Sequence, residues 1–253
     1  MPALDPAFLK TPIAHRALHD ASQGIYENCR SAIIAAIEQG YAIEIDSQLS
    51  SDGRAMVFHD DRLDRLTDKR GDVSDYTAAE LSQIKVGSGQ DVIEPLEDIL
   101  HLIDGRVPLL IELKDQGRKL SQTDGRLEQA TVNALSLYQG AVAVMSFNPH
   151  MIENLAKLSS DLPLGLTTGS FMDPSWGIDA ERIAHLSQIT DFDPKRHSFV
   201  SHFALELAAP CIQTLKEQGT VIFTWTIRNP EAEAIARQTV DNITFEGYLA
   251  AHP

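Results

Sequence analysis

The run Ala42-Ile43-Glu44-Ile45-Asp46-Ser47-Gln48-Leu49 decides the fold. Isoleucine and acid alternate in Ile43-Glu44-Ile45-Asp46, so on a strand both carboxylates point to one face and both isoleucines to the other. A face that carries two acids can be buried only with a cation between them, because unpaired buried charge is very costly. A histidine lies to each side of this run: His15 opens His15-Arg16, and His59 ends Met56-Val57-Phe58-His59 ahead of Asp60. Two imidazoles, a guanidinium and a divalent cation make the chemistry of a phosphate ester.

Outward from this strand, short apolar runs alternate with helix-like segments. The strand readings are Ile13 to His15, Ala42 to Leu49, Leu109 to Leu113, Val142 to Ser146, Leu162 to Leu166, Ser198 to His202, Val221 to Thr226 and Asn242 to Phe245. Helical patterns run over Asn28 to Gln39, Leu96 to Ile103, Leu127 to Tyr138, His150 to Leu158, Leu205 to Gln218 and Glu231 to Gln238. Glycine follows where helices should stop, at Gln39-Gly40, Gln139-Gly140 and Gln218-Gly219, and Asn148-Pro149 and Asn229-Pro230 look like helix starts. Strands alternating with helices argue for an α/β chain with a parallel sheet, and this series suggests a closed (β/α)8 TIM barrel. An open doubly wound sheet is the alternative, but no glycine-rich phosphate loop follows the first strand. The polar stretch from Asp60 to Glu94 breaks the rhythm and reads as a small insertion after the second strand, at about residues 60–94, entered by a short extra strand at Val57-Phe58-His59. Residues 1–253 read as one domain.

Composition narrows the partners. The chain has 253 residues, 43% hydrophobic and 23% charged, with a formal net charge of −15. Such a charge repels nucleic acid and anionic bilayers, which leaves a small molecule as the expected partner. No secretory h-region or transmembrane run is visible, so the expectation is a cytoplasmic protein without stable membrane insertion. The two cysteines, Cys29 and Cys211, read as free thiols in or near helix faces.

In a barrel, functional residues gather where strands end at the C-terminal face. His15 and Arg16 end the first strand, Glu44 and Asp46 lie along the second, and Glu112 and Lys114 form another alternating pair in Leu110-Ile111-Glu112-Leu113-Lys114. Ser146, His202, Trp225 and Glu246 end later strands. The ordered series His15-Arg16, Glu27-Asn28, Glu44-Ile45-Asp46, Asp52-Gly53, His59-Asp60, Pro95-Leu96-Glu97 and Glu112-Leu113-Lys114 resembles the glycerophosphodiester phosphodiesterases. Trp225-Thr226-Ile227-Arg228-Asn229 and Asp241-Asn242-Ile243-Thr244 look like that family's C-terminal strands. The resemblance covers nearly the whole chain, most tightly Pro12 to Lys114, and departs at Ala17 (usually glycine), Cys29 (usually threonine) and Glu246 (usually aspartate).

The residues and the resemblance together give a site. The resemblance implies that His15 and His59 act as the acid–base pair, a role that suits imidazole because it titrates near neutrality. Glu44, Asp46 and Glu112 are read as metal ligands, because three carboxylates exceed what Arg16 and Lys114 neutralise in a buried site. Their all-oxygen set favours Mg²⁺ or Ca²⁺ over zinc, and Mn²⁺ fits as well. Arg16 and Lys114 would bind the phosphate of the substrate. Glu27 and Asn28 lie near the site by resemblance, and Trp225 and His202 are candidate pocket residues by their place at strand ends. The resemblance also implies the reaction, a glycerophosphodiester opened by its own glycerol hydroxyl to a cyclic phosphate that water then hydrolyses. The products would be sn-glycerol 3-phosphate and an alcohol, which places the chain in glycerol and lipid metabolism.

Plainer readings stand beside these. Glu44 and Asp46 would form a salt-bridged layer with Arg16 or Lys114, Glu112 would pair only with Lys114, and Glu27 would simply face a helix N-terminus. Asp52-Gly53 reads as a turn. His19, His101, His150, His185, His197 and His252 read as structural or surface residues, and Asp60-Asp61-Arg62 as a solvated face of the insertion. Competing functions are a lysophospholipase D and a barrel that binds phosphodiesters without turnover. Another metal-dependent barrel hydrolase would need a His-x-His pair on the first strand, which is lacking.

Overall fold

The computed structural model describes residues 2–252. Its strands are β1 (Ile13–Ala14), β2 (Ala42–Leu49), β3 (Ala55–Val57), β4 (Glu94–Pro95), β5 (Leu109–Leu113), β6 (Val142–Ser146), β7 (Leu164–Thr168), β8 (Phe199–Phe203), β9 (Val221–Ile227) and β10 (Asn242–Phe245). The helices are α1 (Arg30–Glu38), α2 (Ala78–Leu81), α3 (Leu96–Ile103), α4 (Arg126–Leu135), α5 (Pro149–Leu158), α6 (Ala180–Ser187), α7 (Pro210–Glu217) and α8 (Pro230–Ala236). Parallel pairing runs β1-β2-β5-β6-β7-β8-β9-β10, and β10 pairs back onto β1, so eight strands close into a barrel with helices between them. This is the (β/α)8 TIM barrel expected from the strand count.

Local chemistry sets the element ends. In α3, Leu96, Ile99, Leu100 and Ile103 fall on one stripe and are buried, the 3.6-residue period of a helix against a sheet. Asn148 accepts from the His150 N–H at 3.0 Å ahead of Pro149, and Asn229 accepts from Ala232 N–H at 2.8 Å ahead of Pro230. Gly40 and Gly219 follow α1 and α7 at φ +71° and +78°, a left-handed turn that glycine adopts without a Cβ clash. α7 starts at Pro210 rather than Leu205, because proline has no N–H to continue a helix from upstream. The helix α6 carries too little apolar signal to be read from sequence, since only Leu186 of its residues is fully buried.

Alternation along the strands divides the barrel interior by height. Ile13, Ala42, Leu110, Ala143, Phe199 and Phe223 form an apolar floor, plugged from below by Phe8 on the single turn Pro6–Leu9. Of these, Ile13, Leu110, Phe199 and Phe223 each contribute about 1.5–3 kcal/mol by their burial. Above the floor the interior turns polar, and there the acids lie. The insertion grows from β2 as an antiparallel ribbon: β3 pairs with β2 (Gln48 opposite Met56) and β4 with β3 (Met56 opposite Pro95). It has a small core of its own around Met56, Phe58, Leu63, Val73, Leu81 and Ile93. Among the described residues, no helix is long and apolar enough to cross a membrane.

Candidate active site

β2 is buried along its whole length, which takes Glu44 and Asp46 to 1% exposure each. β5 lies beside it in register, with Asp46 opposite Glu112. One carboxylate oxygen from each of Glu44, Asp46 and Glu112 comes within 4.8 Å of the others. The local cations are not shared equally. Lys114 Nζ donates to Asp46 at 2.7 Å and also to Glu112, and Arg16 Nε lies 3.5 Å from Asp46. Asn28 completes Asp46 by donating Nδ2 to its carboxylate at 2.8 Å and accepting its backbone N–H at 3.0 Å.

Among the described residues, Glu44 receives only the backbone N–H of Arg16, at 2.8 Å. Burial would raise the Asp46 carboxyl, but Lys114, His59 and Arg16 outweigh it and hold Asp46 far below the usual range. Burial also raises Glu44, and there the negative charges of Asp46 and Glu112 add to it, so the Glu44 carboxyl stands well above its ordinary value. A buried carboxylate that two neighbours repel and no side-chain cation touches is the mark of a place for a cation. An all-oxygen donor set of this size fits a hard divalent ion. The plain salt-bridged layer accounts for Asp46 and Glu112 but not for Glu44.

The histidines flank this cluster and are held alike. His15 Nδ1 meets Glu246 Oε2 at 2.6 Å, and His59 Nδ1 meets Asp60 Oδ1 at 2.6 Å. A carboxylate on Nδ1 fixes the ring and tautomer and leaves Nε2 as the nitrogen offered to a ligand. Burial lowers the His15 imidazole in spite of its bond to Glu246, and that bond, with His19 and Arg228 close by, drives Glu246 far below the carboxylate range. His19 was read as structural, yet its Nε2 lies 3.7 Å from the same Glu246 oxygen. Arg228 grips the other Glu246 oxygen at 2.7 Å.

Between His15 and α1 the chain turns sharply. Arg16, Ala17 and Asn28 have φ of +54°, +64° and +58°. For an ordinary L-residue this costs about 1–2 kcal/mol. Bonds from Ala17 N–H to the Glu44 carbonyl (2.9 Å) and from Asn28 N–H to the Arg16 carbonyl (2.9 Å) hold the turn. The turn lays the Arg16 guanidinium beside Asp46 and against Glu27, at 2.7 Å. Glu27 is therefore an ion-pair partner of Arg16 and not just a helix-start charge.

A cavity of about 610 Å³ opens beside the cluster. His59, Glu112 and Lys114 line one side, and Leu120, Phe147, Trp176 and Trp225 the other. The Phe147 ring stands between the two indoles, 4.8 Å from Trp176 and 5.2 Å from Trp225. Trp225 thus walls the cavity. His202 lies away from this cavity: its neighbours Ser201 and Phe203 share the inner face, Phe203 packing at a tilt against Trp225, so His202 points outward toward the helices. It is 2% exposed, bonds Thr168 Oγ1 at 2.8 Å, and lines a separate small cavity with Ser187 and Glu206. The solvated-face reading of Asp60 and Asp61 is corrected, since Asp60 holds His59 and Asp61 accepts from Gln48 Nε2 at 3.2 Å and pairs with Arg118.

Comparison with known proteins agrees with this geometry. The model of the glycerophosphoryl diester phosphodiesterase family matches residues 15–245. A glycerophosphodiester phosphodiesterase of Caldanaerobacter subterraneus is 28% identical over 242 residues, covering 91% of each chain. The structure of an Oleispira antarctica phosphodiesterase in complex with the product sn-glycerol-3-phosphate superposes with a TM-score of 0.74 at 25% identity, over 95% of this chain and 94% of that one. A glycerophosphodiester phosphodiesterase from Thermotoga maritima shares the fold, with a TM-score of 0.67 at 22% identity over 93% and 94% of the two chains. With the match running from the first flanking histidine to the end of the last barrel strand, the chain is a phosphodiesterase and belongs to the glycerophosphoryl diester phosphodiesterase family.

Proposed function

We propose that the chain hydrolyses glycerophosphodiesters to sn-glycerol 3-phosphate and an alcohol, with His15 and His59 as the acid–base pair. The observation that carries this reading is the matched pinning of both imidazoles at Nδ1, on either side of three buried carboxylates. Glu44, Asp46 and Glu112 would hold a divalent cation, Mg²⁺ or Ca²⁺ with Mn²⁺ also suited, and when bound it would neutralise charge on the phosphoryl oxygens. Arg16 and Lys114 add charge-assisted hydrogen bonds to the non-bridging oxygens.

The proton balance needs both rings. The substrate's glycerol hydroxyl attacks phosphorus and gives its proton to one neutral imidazole, while the other imidazolium protonates the departing alcohol oxygen. The new P–O bond closes a cyclic phosphate. Water then attacks phosphorus, losing a proton to the second imidazole, and the first returns its proton to the ring oxygen as that bond breaks. Both histidines end as they began. The enzyme would act as a cytoplasmic hydrolase on water-soluble diesters.

Phosphorus NMR of glycerophosphocholine turnover tests this. His15→Ala and His59→Ala should each lose about 10²–10⁴ in rate while keeping the fold. Near-normal turnover by either variant rejects the assignment. A second reading, hydrolysis of lysophospholipids, draws on the apolar wall of Leu120, Phe147, Trp176 and Trp225 and on Met172, 71% exposed in the same loop as Trp176. Faster hydrolysis of the acylated than of the deacylated choline diester would favour it.

A further inference from the structure

The insertion contributes one side chain whose geometry goes beyond a surface ion pair. Arg65 follows Leu63, which is fully buried in the insertion's core, on the single turn Leu63–Arg65. Its guanidinium grips two carboxylates at once. Nε donates to Asp60 Oδ2 at 2.6 Å and Nη2 to Asp60 Oδ1 at 2.9 Å. Nη1 donates to Glu27 Oε2 at 2.9 Å and Nη2 to Glu27 Oε1 at 2.7 Å. Each carboxylate then reaches one working group: Asp60 Oδ1 meets His59 Nδ1 at 2.6 Å, and Glu27 Oε1 meets Arg16 Nη1 at 2.7 Å. A continuous series therefore runs His59–Asp60–Arg65–Glu27–Arg16.

We infer that Arg65 is a positioning residue that sets His59 and Arg16 relative to each other, so that the insertion fixes the acid–base group and the phosphate clamp in one arrangement. The inference rests on the roles given above to His59 and Arg16. Only a planar guanidinium has the forks to hold both carboxylates this way, and a lysine ammonium in its place keeps the charge but loses the geometry. Glu27 precedes α1 and Asp60 opens the insertion, so Arg65 joins side chains from two separate segments of the chain.

The test is kinetic and spectroscopic. With glycerophosphocholine, Asp60→Asn acts through His59 and lowers kcat, whereas Glu27→Gln acts through Arg16 and raises KM. Arg65→Ala does both, with kcat/KM down by about tenfold to a hundredfold. Arg65→Lys does not rescue it. In the Glu27→Gln, Asp60→Asn background, Arg65→Ala adds less than about twofold, because the partners it acts through are already gone. Independently of substrate, the downfield Nδ1 proton of His59 in proton–nitrogen NMR should be present in the wild type and lost in Arg65→Ala. Wild-type kcat and KM in Arg65→Lys, or an unchanged His59 signal in Arg65→Ala, overturns the inference. A wild type that leaves glycerophosphocholine intact rejects the functional reading instead, and the NMR signal still decides the role of Arg65.

Discussion

The two sides of the barrel mouth are built from opposite materials. From β10 through β1 and β2 to β5 the strand ends carry Glu246, His15, Glu44, Asp46, Glu112 and Lys114, and all but Glu44 pair with a side chain of complementary charge. From β6 to β9 the same positions carry Phe147, Phe203 and Trp225, with Phe171 and Trp176 packed behind and beside them. The first side can move protons and gather charge at phosphorus. The aromatic rings of the second do neither, and would offer shape and apolar contact to whatever is attached to the phosphate. On the proposed function, one scaffold would thus separate the reaction from the choice of alcohol, and each side can be broken alone.

The largest effect should come from the charged side. Glu44→Gln is expected to lower turnover by about a thousandfold or more, by weakening the cation site. The same variant, stripped of metal, should melt at or above the metal-free wild type, because an amide removes a buried carboxyl that Asp46 and Glu112 repel. A lower melting temperature would restore the salt-bridged reading of this layer. The aromatic side predicts a smaller, different signature. Trp176→Ala should raise KM for glycerophosphocholine by about fivefold to tenfold, the loss of one cation–π and packing contact, with kcat changed less. Equal KM changes for choline and glycerol diesters would show that the wall does not read the alcohol.

His202 lies outside both sides and is expected to supply a stability effect without a catalytic one. Burial pushes its imidazole down from 6.5 to about 4. The folded chain therefore resists a proton that the unfolded chain accepts, so this contribution is complete above 6.5 and is lost as pH falls toward about 4. His202→Asn should flatten that slope in acid melts while leaving kcat/KM at pH 7.5, about a unit above the free imidazole value, unchanged. A fall in turnover would return His202 to the site. The smallest effect is expected at Ala17→Gly. Relief of its left-handed φ, about 1–2 kcal/mol, is offset by a freer unfolded chain and the loss of a buried methyl, so stability should stay within about 1 kcal/mol.

How much of this was legible varies with the kind of signal. The barrel and the acid strand follow from alternation, which is a property of neighbours in sequence: Ile43-Glu44-Ile45-Asp46 announces its two faces because one is charged. Phe199-Val200-Ser201-His202-Phe203 does not, since either face is mixed, and parity alone sends Ser201 inward and His202 outward. His19 and Arg65 were hidden for another reason. His19 reaches Glu246 only because the chain folds back at Arg16 and Ala17, and Arg65 reaches Glu27 across thirty-eight residues of sequence. Long-range pairs made by loops leave no periodic trace.

The account stands most directly on the cation it places among Glu44, Asp46 and Glu112. The measurement is release of sn-glycerol 3-phosphate from glycerophosphocholine by metal-stripped protein, titrated in turn with Mg²⁺, Ca²⁺ and Mn²⁺. A working cation site gives no release before addition and saturable release with at least one of the three, lost again on chelation. Full release by the stripped protein, or none with any of the ions, would contradict it.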